Sequence, residues 1–169
     1  MRIFILGFMA SGKSTIGKKL ANNLNLPFID LDKVFENNQA TTIRLYMYKY
    51  GEDAFRKIEK EILEKVINEN ENAVISTGGG TPCFFNNMQL MNSRGITVYL
   101  EVDIPTLVNR LMHSKIDRPL VWGKTKADLT EYAKNLLEKR NEFYSQAKYK
   151  VNGKNLTVNN LVTLIKTEL

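Results

Sequence analysis

Short apolar runs alternate with longer stretches of helical periodicity from one end of the chain to the other. The runs Arg2–Leu6, Phe28–Asp30, Ala73–Ser76, Thr97–Glu101 and Tyr149–Val151 are rich in β-branched and aromatic residues and too short for helices, so each predicts a strand. Helices are predicted over about 13–24, 52–69, 104–112, 126–143 and 158–168, with shorter ones near 33–37, 41–49 and 84–92. Within 52–69, Phe55, Ile58, Ile62, Leu63 and Val66 recur at three- and four-residue spacing as a stripe for the core. Lys57, Lys60, Glu61 and Glu64 make the opposite, hydrated face. Strands separated by helices imply βαβ units, because a parallel neighbour is reached only through a crossover. The pattern therefore predicts one α/β domain over 1–169, with a parallel sheet between two layers of helices.

The stretch from His113 to Lys126 breaks the alternation. It is mostly polar, lacks periodicity and contains Arg118-Pro119 and Trp122-Gly123, which predicts a surface loop of the length used for lids. The 169 residues, 43% hydrophobic and 25% charged, suit a single domain with a real core. No apolar stretch approaches the roughly 18 residues of a membrane span, and Arg2 leads straight into a strand with no signal-peptide pattern. Cys83 is the single cysteine, so an internal disulfide is excluded and a reducing cytoplasm is expected; between Pro82 and Phe84 it reads as inert packing. His113, the single histidine, reads as a surface side chain and leaves little basis for a histidine metal site or a Ser-His-Asp triad. Lys and Arg number 24 against 18 Asp and Glu, a net charge of +6 that suits phosphorylated ligands or nucleic acid. The positive residues are scattered and no RNP-like motif accompanies them, so a small-molecule partner is expected and nucleic acid is not. The predicted helices leave no obvious spare apolar stripe, and a monomer is expected.

Chemistry enters at Gly7-Phe8-Met9-Ala10-Ser11-Gly12-Lys13-Ser14, which fits G-x-x-x-x-G-K-[ST] between a predicted strand and a predicted helix. That context distinguishes a phosphate-binding loop from a chance match. Glycines let backbone N–H groups close on an anion, and the following helix aims its positive end at the phosphates. Lys13 would reach the β- and γ-phosphates of a nucleoside triphosphate, and the Ser14 hydroxyl would ligate Mg²⁺. The loop residues Gly7, Ala10, Ser11, Gly12, Lys13, Ser14 and Thr15 are the expected ATP contacts.

Ligands of open parallel sheets sit at the carboxyl ends of the strands. The second predicted strand ends in Asp30-Leu31-Asp32, and carboxylates two residues apart in an extended segment would face one side. One would hold Mg²⁺ through water and the other would orient, or deprotonate, an acceptor hydroxyl. The third ends in Gly78-Gly79-Gly80, bare backbone that a ligand can approach closely.

The set GFMASGKS, FIDLD, GEDAFRKIE, ISTGGG, DRPL and EKR-x-x-FY, in this order and spacing, resembles the shikimate kinases over essentially the whole chain. The resemblance implies a three-layer P-loop fold with a five-stranded parallel sheet in the order 2-3-1-4-5, a substrate-binding segment at about 33–60 and a mobile lid at about 113–126. It also implies phosphorylation of the 3-hydroxyl of shikimate by MgATP. By the same resemblance, Asp30 joins Ser14 at the Mg²⁺ ion, Asp32 binds the substrate hydroxyls and serves as base, and Arg56 and Arg140 grip the carboxylate. Glu59 holds Arg56 from three residues on, and the Gly79 N–H meets the substrate. Arg118 closes over the transferring phosphate, and Arg110 falls near an adenine-stacking arginine. Taken singly, Arg56 could instead be a helix-surface ion pair with Glu52, Asp53 or Glu59, and Arg140 a solvated helix end.

Ala10 stands where the family usually has glycine, and a negative φ is expected there. Met47 replaces a pocket aromatic, and the tail Val151-Asn152-Gly153-Lys154 lacks the arginine and proline that frame adenine in some relatives. Two alternatives share the phosphate loop: a gluconate-kinase-like enzyme, which does not need two carboxylate arginines, and a regulatory P-loop NTPase. The latter needs a water-activating residue after the third strand, where this chain has Ser76-Thr77-Gly78.

Overall fold

The computed structural model describes residues 1–113 and 123–166. Five parallel strands, β1 (Arg2–Leu6), β2 (Phe28–Asp30), β3 (Ala73–Ser76), β4 (Ile96–Glu101) and β5 (Tyr149–Asn152), form one sheet in the order β2-β3-β1-β4-β5. Eight helices surround it among the described residues: α1 (Lys13–Leu24), α2 (Leu31–Gln39), α3 (Ile43–Tyr50), α4 (Glu52–Glu69), α5 (Asn87–Arg94), α6 (Ile104–Met112), α7 (Lys126–Tyr144) and α8 (Val158–Lys166). This is the P-loop architecture.

Central β1 explains its own composition. It pairs with β3 on one side and β4 on the other, and Ile3 through Leu6 are fully buried. A strand covered on both faces has no use for polar alternation, hence the continuous apolar run. Its side chains still alternate between the two cores. Phe4 and Leu6 pack with Ile75 beneath α2, α4 and α5, through Phe35, Leu63 and Met88. Ile3 and Ile5 pack with Val74 and Val98 against Leu20 of α1 and Leu161 of α8. A third cluster joins Phe8 and Val102 to α6 and α7 through Leu107, Leu111, Leu129 and Ala133.

Several boundaries differ from the sequence expectation, each for a local reason. Helix α2 begins at Leu31, directly after β2, so Asp32 lies in a first helical turn rather than in an extended segment. The helix expected at 84–92 starts later, as α5 at Asn87, and a 3₁₀ turn, Thr81–Cys83, lies before it. Pro82 starts the turn, and Phe84 is extended after it, with its ring 4.1 Å from the Arg56 guanidinium. Helix α3 buries none of its residues and leaves Leu45, Tyr48 and Tyr50 exposed, so the helices do not use all their apolar surface. Among the described residues no helix is long and apolar enough to cross a membrane.

Candidate active site

The carboxyl ends of β1, β2 and β3 meet at a cavity of about 760 Å³. On its floor is the phosphate loop, and the loop's glycines are dictated by backbone geometry. Gly7 has φ +148°, and a Cβ there would lie 2.8 Å from Ser11 Oγ and 2.9 Å from the Leu100 carbonyl. Gly12, at φ +99°, caps α1. Ala10 departs from expectation: its φ is +62°, not negative. A Cβ in the left-handed region costs on the order of 1 kcal/mol, which the loop's remaining contacts must offset. Lys13 folds back over the loop and donates to the carbonyls of Gly7 and Phe8, both at 2.9 Å. Arg110 reaches in from α6 to the Ala10 and Ser11 carbonyls at 3.2 and 3.1 Å, and Thr15 also lines the cavity. Gly153 and Leu156 line the cavity from beyond β5.

Ser14 Oγ donates to Asp30 Oδ2 at 2.7 Å and lies 3.5 Å from Ser76 Oγ. Asp30 occupies the N-cap of α2 yet makes no side-chain cap; its carboxylate turns to Ser14 instead. Among the described residues no three His, Cys, Asp or Glu side chains converge as a metal site. A Mg²⁺ ion would therefore be held chiefly by phosphate oxygens and water, with Ser14 and Asp30 on the protein side. The hydroxyl–carboxylate pair fits that demand.

Asp32 reaches the same cavity from the first turn of α2. Burial pushes its carboxyl from 3.8 up to about 6, against the attraction of Lys13 and with help from the neighbouring charges of Asp30, Glu59 and Glu36. The three glycines after β3 are where the remaining side chains meet. A Cβ on Gly78 would fall 2.8 Å from Asp32 Oδ1 and 2.9 Å from both Glu59 Oε1 and Thr81 Oγ1. On Gly79 it would lie 3.1 Å from Arg140 Nη1, and on Gly80 2.5 Å from Arg56 Nη2. Backbone without side chains thus lets Asp32, Arg56 and Arg140 approach one surface.

Arg56 is buried on the inner stripe of α4, so the expected ion pairs with Glu52 and Glu59 form, but not at the surface. Its Nη1 donates to Glu59 Oε2 at 2.8 Å, while Nε and Nη2 donate to Glu52 Oε1 at 3.2 and 2.9 Å. Glu59 is fixed in turn by Thr81 Oγ1, which donates to its Oε1 at 2.6 Å. Arg140 approaches from α7 across the Phe8 ring, at 5.7 Å, and its Nη1 is buried without a hydrogen-bond partner. A buried, unpaired guanidinium nitrogen beside bare backbone calls for an anion.

The sequence reading missed Thr81 and Tyr144. Tyr144 lies within the EKR-x-x-FY motif, four residues after Arg140, and that spacing was the available signal. It is fully buried, stacks on Tyr99 with centroids 4.8 Å apart, and donates its hydroxyl to the Gly79 carbonyl. Met47 is half-buried against the core beneath α2 and α4. His113 is an exposed helix end, as expected. Burial raises the Cys83 thiol to about 11, which keeps it protonated and unreactive near neutrality. Arg118 and most of the expected lid fall within 114–122, outside the described residues.

A phosphate loop after the first strand, an acidic pair at the second and two arginines beside the glycines of the third define a P-loop kinase of small molecules. A sequence model of shikimate kinases matches residues 9–169. The chain is 47% identical to the shikimate kinase of Azobacteroides pseudotrichonymphae, with 95% of each chain covered. Among solved structures, the crystal structure of shikimate kinase from Bacteroides thetaiotaomicron superimposes with a TM-score of 0.95 at 42% identity, covering 98% of both chains. Shikimate kinase from Acinetobacter baumannii, in complex with shikimate, gives 0.87 at 28% identity, covering 99% of this chain and 93% of that one. The chain belongs to the shikimate kinase family. It is an ATP-dependent kinase of the shikimate pathway.

Proposed function

We propose that the residues gathered at the three strand ends divide the transfer of the ATP γ-phosphoryl group to the shikimate 3-hydroxyl among them. Arg56 and Arg140 take the substrate carboxylate, two planar forks on one anion, and the Gly79 N–H adds a backbone contact. The ring is then fixed with its acceptor hydroxyl toward Asp32. The hydroxyl oxygen bonds to the γ-phosphorus, the bond to the β-phosphate oxygen breaks, and Asp32 takes up the hydroxyl proton. Lys13 leaves the loop carbonyls for the β- and γ-phosphates, where it offsets developing negative charge. Ser14 and Asp30 hold Mg²⁺, which when bound neutralises phosphate charge. Arg110 lies over the phosphate loop on the nucleotide side, and Arg118 has the phosphate-closing role that its motif carries in the family.

The observation that supports this reading most is the unpartnered Nη1 of Arg140, aimed at the Gly79 backbone opposite Arg56. A double-mutant cycle between enzyme and substrate tests it. Arg56→Lys keeps the charge but loses the fork and should raise the shikimate KM about ten- to hundredfold. The carboxamide of shikimate should be poor with the parent enzyme and lose little more on that substitution. Fully additive effects would remove Arg56 from the carboxylate. ADP release with gluconate at the rate seen with shikimate would favour the gluconate-kinase alternative. The same reading takes the enzyme as cytoplasmic, supported by its single, half-buried cysteine.

A further inference from the structure

The two carboxylates on Arg56 are not equivalent. Glu59 is almost wholly buried, with a side-chain exposure of 5%, and Thr81 fixes its second oxygen. Glu52 is the first residue of α4, its side chain is 51% exposed, and Arg56 is its only hydrogen-bond partner among the described residues. It holds Arg56 through one oxygen shared between Nε and Nη2, a fork on a single point rather than a two-oxygen match. The guanidinium itself has little room to move. The Phe84 ring covers it at 4.1 Å, and Gly80 is so close that a Cβ would stand 2.5 Å from Nη2.

We propose that Glu52 is a built-in competitor for the substrate carboxylate: it occupies Arg56 in the empty site and gives way when shikimate arrives. The proposal rests on the assignment of Arg56 to that carboxylate. Three anions around one buried cation repel one another, and Arg140 offsets only one of them. Glu59 is fixed and Arg56 is sandwiched, so the exposed, singly held Glu52 is the group that can leave. While the site is empty, Glu52 helps keep a buried guanidinium paired. The consequence is an affinity lower than the two arginines could provide, and a preference for ligands with a charged, two-oxygen group able to displace it.

Steady-state kinetics of Glu52→Gln and Glu52→Asp test this. Gln keeps the length without the charge; Asp keeps the negative charge at the start of α4, where it suits the helix dipole, but retracts the carboxylate by one methylene. Each variant should lower the shikimate KM about three- to tenfold with kcat within about twofold, because competition is relieved equally in ground and transition states. The KM for the carboxamide should stay within about twofold, since a neutral amide makes no charge-assisted fork with the freed guanidinium. Circular dichroism verifies folding, and either variant suffices if the other is unfolded. An unchanged or raised shikimate KM in the folded variants overturns the proposal; a raised KM makes Glu52 a residue that positions Arg56. Arg56→Lys, measured in parallel, separates the two levels: if it leaves the KM unaltered, the carboxylate assignment itself has failed.

Discussion

The Asp32 carboxyl lines the cavity within the fields of Lys13, which opposes the rise in its pKa, and of Asp30, Glu59 and Glu36, which add to it. Withdrawal from water is the largest influence on it and raises its pKa from 3.8 to about 6. Folding therefore favours the protonated form. Between these two values the native state binds more protons than the unfolded chain, so stability falls as pH rises through the window and is level above it. The charge costs at most about 3 kcal/mol at pH 8, less whatever cavity water screens. In protein free of metal and nucleotide, Asp32→Asn should gain little against urea at pH 4 and about 1–3 kcal/mol at pH 8, while turnover collapses. A gain independent of pH would mean that the carboxylate is well hydrated in the native state. Ala10 shows the same tension between stability and site, holding φ +62° without a glycine's freedom.

At the scale of elements, α7 delivers two residues to Gly79 from one face, Arg140 beside its backbone and Tyr144 to its carbonyl. Its start is secured by a capping box. Thr125 Oγ1 accepts from the Asp128 N–H at 3.2 Å, and the Asp128 carboxylate accepts from the Thr125 N–H at 2.8 Å. Thr125→Ala leaves orphan N–H groups at the helix start and should cost about 1 kcal/mol in urea unfolding. Arg140 and Tyr144 lie several turns further on, held by the third core cluster and the Tyr99 stack, so the shikimate KM should not change. A KM that rises with the loss of the cap would show that the helix start, rather than the core, positions the clamp. Helix α4 has a comparable division of labour. Ile62, Leu63, Val66 and Ile67 anchor its second half, and Glu52, Arg56 and Glu59 occupy successive turns of the first.

The whole molecule places these elements by sheet order. With β1 between β3 and β4, and β2 beside β3, the phosphate loop, the acidic pair and the three glycines fall on one edge of the sheet. Ligands that bind only this assembled edge should stabilise the entire domain by mass action. Shikimate at a hundred times its Kd should add about 2.7 kcal/mol and raise Tm by about 5–10 °C. The carboxamide at the same concentration should raise it much less, and Arg140→Ala should abolish most of the shikimate shift. Equal shifts from acid and amide would place the carboxylate in water rather than between the arginines.

Some of this is written in short stretches of chain. The phosphate loop is one, because spacing, glycine and the strand-to-helix transition all lie within a few bonds of each other. The inner stripe of α4 is another, because helical period is a local property, and the five strands follow from apolar runs short enough to be nothing else. Resemblance supplied the strand order, and the structure has it. Other features depend on partners far along the chain. Whether Arg56 sits at the surface or in the core turns on Gly80 and Phe84, which close over it from beyond β3. The unpartnered Nη1 of Arg140 and the bond from Tyr144 to Gly79, 65 residues away in sequence, exist only once α7 packs across the sheet edge. Asp32 faces the cavity from a helical turn because α2 starts at Leu31, directly after β2, where an extended segment through Asp32 was expected. Local sequence sets the period and the turns, because backbone sterics act over a few residues; which charges meet, and which remain buried without a partner, is decided by packing between elements brought together from across the chain.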